Sequence, residues 1–270
     1  MTKVILITGA SSGMGKVSAE RLIKKGYIVY GAARNVKKMQ DLVDLGGHVL
    51  AMDVTSEKEL KKGVDKIIKE QGRIDVLWNN AGYGLYGPIE EVKLDDARYQ
   101  FEVNLFGLAQ LTQLVLPHMR KQKSGLILNT SSIAGKICTP LGAWYHATKH
   151  AVEGFSDCLR LEVKKFGIDV VILEPGAIQT AFGPVLLKKM AHKHDKGPYG
   201  ALAKAVYKGT KNLQGSPPSV IAKTVSKIVA SKKPKTRYVA GKYAHLLMFV
   251  RRWFGDRIYD KFIMNLMKEV

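Results

Sequence analysis

Cysteine is scarce in this chain: Cys138 and Cys158 are the only two among 270 residues. Two cysteines set in an α/β pattern exclude a disulfide scaffold and point to free thiols in a reducing compartment. Long apolar runs are missing as well. The longest near the C-terminus covers only residues 246–250. A membrane-spanning helix needs about 20 apolar residues. Met1-Thr2-Lys3 runs straight into VILITGA without a signal-peptide pattern. The expectation is a soluble, cytoplasmic protein, at most peripheral to a membrane. No internal repeat or low-complexity linker interrupts the chain, so residues 1–270 are expected to form one domain. His192 and His194 make an HKH loop, a weak pattern for metal ligation. No catalytic metal is expected.

Acidic residues become rare past residue 182. Residues 1–182 carry 24 Lys and Arg against 19 Asp and Glu; residues 183–270 carry 19 against 4. The total is +20, and most of it sits in the last third. Such a field attracts anionic substrates, acidic carriers, nucleic acid or anionic lipid, or serves solubility alone. No nucleic-acid motif accompanies it, so no nucleic-acid partner is expected.

What is present is an alternation. Apolar, β-rich runs at 4–8, 27–32, 49–52, 75–79, 125–130 and 169–173 are separated by helical patterns. The helical patterns fall at 16–25, 36–45, about 97–121 and 143–166, and Ser56–Glu59 reads as a capping box opening another. Strands apolar on both faces, joined by helices, predict an α/β, doubly wound parallel sheet of Rossmann type in a single domain. Residues 3–182 would form its core. Residues 183–218, rich in Lys, Gly and Pro, read as an inserted substrate loop, with Gly and Pro breaks that suit a mobile lid. Residues 219–270 read as a C-terminal extension: a helix at 220–231, a last strand at 237–240, and amphipathic helix over 244–266 broken near Gly255.

TGASSGMG at residues 8–15 follows the first strand and opens the first helix. In that context glycines at 9, 13 and 15 allow a tight turn and close approach of backbone to a pyrophosphate. The helix N-terminus offers free N–H groups and a positive dipole end. Ser11 and Ser12 can add hydroxyl donors, and Met14 lies in the same turn. A free ribose 2′-hydroxyl usually meets a carboxylate at the end of the second strand. Here the stretch is Ala33-Arg34-Asn35, without one. A guanidinium suits a 2′-phosphate, so Arg34 favours NADP(H), with NAD(H) left open.

Further motifs follow in order: Asp53-Val54, NNAG at 79–82, Asn104, NTSS at 129–132, YHATK at 145–149, and Pro175, Gly176 and Thr180. Together with the glycine turn they resemble the short-chain dehydrogenase/reductases over residues 3–182. The tail is similar, more weakly, to a hydroxysteroid- and retinol-dehydrogenase-like branch. The resemblance implies that Asp53 bonds the adenine amino group with Val54 beside the ring. It implies that Asn80, Ala81 and Gly82 line the cofactor, and that Pro175, Gly176, Ile178 and Thr180 hold the nicotinamide end. It also implies a homodimer or homotetramer built through the two long helices.

The chemistry of such a site can be argued from residue types. Tyr145 and Lys149 stand at i and i+4, on one helix face. An ammonium near a phenol lowers its pKa and makes it a usable acid or base. Lys149 can also bond the nicotinamide ribose. Ser132 would donate to the substrate oxygen, where charge develops. By resemblance, Asn104 would hold a water linking Lys149 to solvent. Tyr83, Ile133, Cys138, Leu141, Trp144 and Phe182 are candidates to line the substrate cleft. Their apolar character suggests a lipophilic alcohol or ketone. The expected activity is hydride transfer between NADP(H) and that substrate. A cofactor-sensing protein without turnover and a ketoreductase acting on an acyl carrier are the alternatives. The basic, aromatic tail could rest on an anionic membrane, cover the sheet or form a subunit contact.

Overall fold

Val4–Thr8 forms β1 and is buried along its whole length. A strand hidden on both faces must lie inside a sheet covered by helices on two sides. The computed structural model, which describes residues 2–183 and 197–268, shows that arrangement. The strands are β1, β2 (Ile28–Ala33), β3 (His48–Ala51), β4 (Val76–Asn79), β5 (Gly125–Thr130), β6 (Ile168–Pro175) and β7 (Arg237–Ala240). They run in the order β3-β2-β1-β4-β5-β6-β7, every pair parallel. The order reverses between β1 and β4, which opens a crevice at the carboxyl ends of the strands.

The described helices are α1 (Gly13–Ile23), α2 (Gln40–Asp44), α3 (Glu57–Gln71), α4 (Leu94–Phe101), α5 (Gly107–Gln122), α6 (Ala143–Val163), α7 (Gly200–Asn212), α8 (Ser219–Ala230) and α9 (Ala244–Lys268). Alternate residues of a strand point to opposite faces, and two cores result. Ile5, Ile7 and Trp78 pack with Leu22 of α1 and Ile221 and Val225 of α8. Leu6, Leu77 and Ile127 pack with Leu60 and Ile67 of α3, Leu111 of α5 and Leu159 of α6.

Three local features depart from the sequence pattern. The capping box before α3 is half made. Ser56 Oγ accepts from Glu59 N at 3.4 Å, while the Glu59 carboxylate takes the Asp53 N–H at 2.7 Å. The helix expected over 97–121 begins at Leu94 and is interrupted by a wide π turn, Glu102–Phe106. Part of the expected substrate loop is helix α7, whose Gly200, Ala203 and Val206 are buried. The HKH histidines and the first part of that loop lie outside the described residues. In α9 the break falls at Gly255, with φ 70° and ψ −176°. Both cysteines are free and exposed.

Candidate active site

The glycine turn joins β1 to α1 at the switch point. Gly9 and Gly13 have φ of 68° and 56°, a region that L side chains avoid. A Cβ at Gly9 would lie 3.0 Å from Ala81 Cα, and one at Gly13 would lie 3.2 Å from Thr180 Cγ2. A Cβ at Gly15 would collide with the Gly9 carbonyl oxygen. The turn is therefore a narrow cradle between the β4 loop and Thr180. Ser12, the N-cap of α1, is extended and makes no side-chain capping bond. The first N–H groups of α1 thus stay available to an anion, which fits a dinucleotide pyrophosphate. Met14 packs its side chain against the core, so only its backbone can serve the turn.

Hydrogen bonds lock the far wall of the cradle. Thr8 Oγ1 accepts from the N–H groups of Asn80 and Ala81, both at 3.0 Å. Asn80 Nδ2 donates to the Thr8 carbonyl at 3.0 Å. The Asn80 side chain therefore braces the turn. Asn79 ties β4 to β5 through Asn129 Oδ1 at 2.9 Å. Arg34 is exposed just past β2. Asp53 is half-buried, and its Oδ1 accepts from Thr55 N and Oγ1. Val54 is buried, and its carbonyl meets Gly107 so closely that a Cβ there would clash.

The catalytic candidates converge beside this cradle, where β5 and β6 end. Tyr145 and Lys149 share one face of α6 and are 9 % and 5 % exposed. Lys149 Nζ donates to the Thr130 carbonyl at 2.9 Å and stands 5.8 Å from the Tyr145 ring centroid. Burial lowers the Lys149 pKa to about 8, opposed by the charge of Glu153. Burial pushes the Tyr145 phenol up to about 12, and a hydrogen bond with Ser132 pulls the other way. The i, i+4 spacing alone predicts an ammonium that holds the phenol below its usual value. Burial dominates instead, since charged forms lose most when water is excluded.

Ser132 Oγ accepts from Ala134 N at 3.1 Å and donates to the Pro175 carbonyl at 3.4 Å. Gly176 N donates to Ala240 O at 2.8 Å, and Ile178 packs on the core. The segment after β6 is thus held by β7, and Thr180 rests on the turn.

Asn104 sits in the π turn. Its Oδ1 accepts from Tyr83 N at 3.0 Å; its Nδ2 donates to Tyr83 O at 2.9 Å and Thr148 Oγ1 at 3.1 Å. Thr148 Oγ1 in turn donates to the Tyr145 carbonyl at 2.8 Å. Both amide hydrogens are spent, so a relay water has only the main-chain carbonyl and a remaining Oδ1 lone pair. The side chain's role here is to join the β4 loop to the catalytic helix. Gly82 keeps this junction tight: a Cβ there would lie 3.1 Å from Asn104 Oδ1.

The proposed substrate residues divide. Phe182 places its ring 5.5 Å from that of Tyr145, over Gly84. Cys138 and Leu141 line a depression of about 590 Å³ with Pro88, His146, Tyr199 and Leu202. Tyr83 packs against Tyr99. Ile133 packs on Ile137, Tyr259 and Ile263. Trp144 lines a different depression with Leu94, Arg98 and Phe106; one helical step from Tyr145 turns it toward α4. Two further residues bear on the site: Tyr86, which no sequence pattern marks, and His146, which as a neighbour of Tyr145 tempts as an acid or base but is expected to face elsewhere on the helix. The Tyr86 ring lies 5.9 Å from that of Tyr145, tilted by 36°, so both it and Phe182 lie against the phenol. His146 Nε2 accepts from Thr139 N at 3.1 Å, which leaves Nδ1 to donate to the Ala134 carbonyl at 3.0 Å. Burial lowers its pKa, and a neutral His146 pins the segment that carries Ser132.

The short chain dehydrogenase family model matches residues 3–190 of the chain. A 3-ketodihydrosphingosine reductase of Bacteroides thetaiotaomicron is 37% identical over 262 residues, 95% of this chain and 94% of that protein. An NADPH-dependent 3-dehydrocapnine reductase of Ornithobacterium rhinotracheale is 32% identical over 276 residues, 98% and 97% of the two chains. The crystal structure of a short-chain dehydrogenase from Streptomyces avermitilis superposes with a TM-score of 0.83 at 31% identity, covering 99% and 96%. Neither named relative is a hydroxysteroid or retinol enzyme by name. With the parallel sheet, the glycine cradle and the Ser132–Tyr145–Lys149 cluster in place, the chain belongs to the short-chain dehydrogenase family, as an oxidoreductase acting on CH–OH groups with a nicotinamide cofactor.

Proposed function

We propose that the protein reduces a lipophilic ketone to a secondary alcohol, with NADPH as the reductant. The observation that carries this is the placement of Tyr145, Ser132 and Lys149 against the glycine cradle, beneath the apolar rings of Phe182 and Tyr86. NADP(H) is favoured over NAD(H) because exposed Arg34 follows β2 where a carboxylate would select the free 2′-hydroxyl. The cradle residues 9–15, Arg34, Asp53, Asn80–Gly82 and Pro175–Thr180 would hold the dinucleotide, whose reduced nicotinamide would supply the hydride.

The chain's own residues handle the oxygen. Ser132 Oγ has a single hydrogen, which turns from its long 3.4 Å bond to the Pro175 carbonyl onto the substrate carbonyl and stabilises the negative charge that grows there. Tyr145 Oη delivers the proton. A phenol with a pKa of about 12 holds its proton at neutral pH, which suits the reductive direction. Lys149 has two N–H donors left after Thr130. They orient the cofactor ribose and stabilise the phenolate that remains on Tyr145.

Both named relatives are reductases of position-3 keto or dehydro compounds, and this supports a ketone as substrate. Consumption of NADPH with 3-ketodihydrosphingosine, compared with a short water-soluble ketone, tests the assignment. Turnover at least tenfold more efficient on the long-chain ketone is expected; preference for the short ketone would refute the lipophilic part. Assembly through α5 and α6 fits the exposure of Leu161 on α6 and of Phe106 at the end of the π turn that leads into α5. Leu161→Glu should shift the protein toward monomer in light scattering.

A further inference from the structure

Helix α9 has two faces. Leu247, Met248, Val250 and Phe262 pack inward with Ile137, Tyr259 and Ile263. Tyr259 Oη donates to the Cys138 carbonyl at 3.0 Å. This inner face is committed to the segment that follows Ser132. The outer face leaves Leu246, Phe249, Trp253, Phe254 and Ile258 more than half exposed. Phe249 lies 6.4 Å from Trp253 and 6.1 Å from Phe254, ring centre to ring centre, so the rings form one cluster. Exposed clusters of this kind mark a contact surface rather than ordinary scatter of apolar residues.

The charge around the cluster selects the contact. Arg252, Arg257 and Lys261 are exposed on the same helix. Arg251 is paired with Asp256, and the Arg252 guanidinium stands 5.8 Å over the Trp253 ring. Asp256 and Asp260 are the only carboxylates between residues 242 and 261. A second copy of the chain docked here by a two-fold axis would set these cations against their own images. A surface bearing phosphate groups would neutralise them. Aromatic rings and arginines side by side suit the headgroup boundary, with rings in the acyl edge and cations at phosphate level. Among the described residues no helix is long and apolar enough to cross a membrane, so the contact lies on the bilayer.

We infer that the outer face of α9 docks the protein on an anionic lipid bilayer. It rests for its purpose on the lipophilic-ketone assignment: α9 is bonded to the loop beside the cleft, so docking sets the site's mouth at the lipid surface.

The test is co-sedimentation of full-length protein with vesicles, at low and high salt. Phosphatidylcholine vesicles are compared with phosphatidylcholine–phosphatidylglycerol vesicles. The expected result is binding to the anionic vesicles, at least tenfold weaker on neutral ones and lost at high salt. Arg252→Glu with Arg257→Glu, and separately Trp253→Ser with Phe254→Ser, should each lower binding at least tenfold. Binding of NADPH in vesicle-free solution should stay unchanged, which checks that the variants fold. No binding to anionic vesicles overturns the inference. So does equal binding to neutral vesicles, or self-association of the free protein that the Trp253→Ser pair abolishes. Turnover of a detergent-dispersed ketone reports on the substrate assignment separately, so the two can fail independently.

Discussion

Lys149 Nζ donates to the main-chain carbonyl of Thr130 at 2.9 Å. The bond places the ammonium relative to the end of β5, two residues before Ser132, rather than relative to its own helix alone. Lys149→Met should therefore lower kcat by about 10²- to 10⁴-fold, the range for loss of a positioned acid–base group. Far-UV circular dichroism should be unchanged. Because Lys149 has a pKa of about 8 and is needed charged, wild-type activity should fall as pH rises past that value. A pH–rate profile checks this.

Arg34 is exposed past β2, in a turn without a carboxylate. Arg34→Asp should weaken NADPH binding at least tenfold, through loss of a bidentate phosphate partner, and should strengthen NADH binding. Titrations followed by nicotinamide fluorescence read both. Equal affinity of the wild type for NADPH and NADH would remove the role given to Arg34.

Glu174 is fully buried in β6, 3.6 Å from Arg237 Nε. Burial, and then the neighbouring Glu153 charge, raise its pKa from 4.5 to about 7, against the pull of Lys136 and Arg237. A carboxyl group with a raised folded value stabilises the fold while protonated. Its contribution is complete at low pH and is lost as pH rises from 4.5 through 7. The free energy lost over that interval is on the order of 3 kcal/mol. Glu174→Gln keeps a neutral donor for Glu153, and should raise Tm at pH 8 while leaving it nearly unchanged at pH 4. A Tm difference independent of pH would contradict this.

His146 bonds both Ala134 O and Thr139 N. His146→Ala strands the buried Ala134 carbonyl, at a cost of about 1–3 kcal/mol, and frees the half-buried Thr139 N–H. Lower Tm and faster hydrogen exchange over residues 133–139 are expected, with kcat falling less than in Lys149→Met.

The sheet was legible in the sequence because strands buried on both faces are continuous apolar runs. The β5 run, 125–130, and the last strand, 237–240, match their observed bounds. The glycine turn was legible because Gly9, Gly13 and Gly15 answer local needs of φ and space. The π turn at Asn104 was not, because one extra residue in a turn hardly disturbs apolar spacing. Helix α7 was hidden by Gly200 and Gly209 and by the breakers before it; its small buried Ala203 contributes little apolar signal. Tyr86 and Glu174 owe their roles to partners distant in sequence, and no local pattern announces them; His146 reaches back only to Ala134 and Thr139, but the fold of that segment is what brings those backbone groups to its ring. For the same reason Trp144 could not be separated from its neighbour Tyr145 until the orientation of α6 was known.

The most direct test of the account is NADPH oxidation in the presence of 3-ketodihydrosphingosine, for wild type and Tyr145→Phe side by side, with NADPH affinity measured for both. Turnover by the wild type is expected, with a loss of about 10²- to 10⁴-fold in kcat for the variant and unchanged NADPH affinity. Wild-type protein that binds NADPH but turns over no ketone, or a Tyr145→Phe variant as active as the wild type, would contradict it.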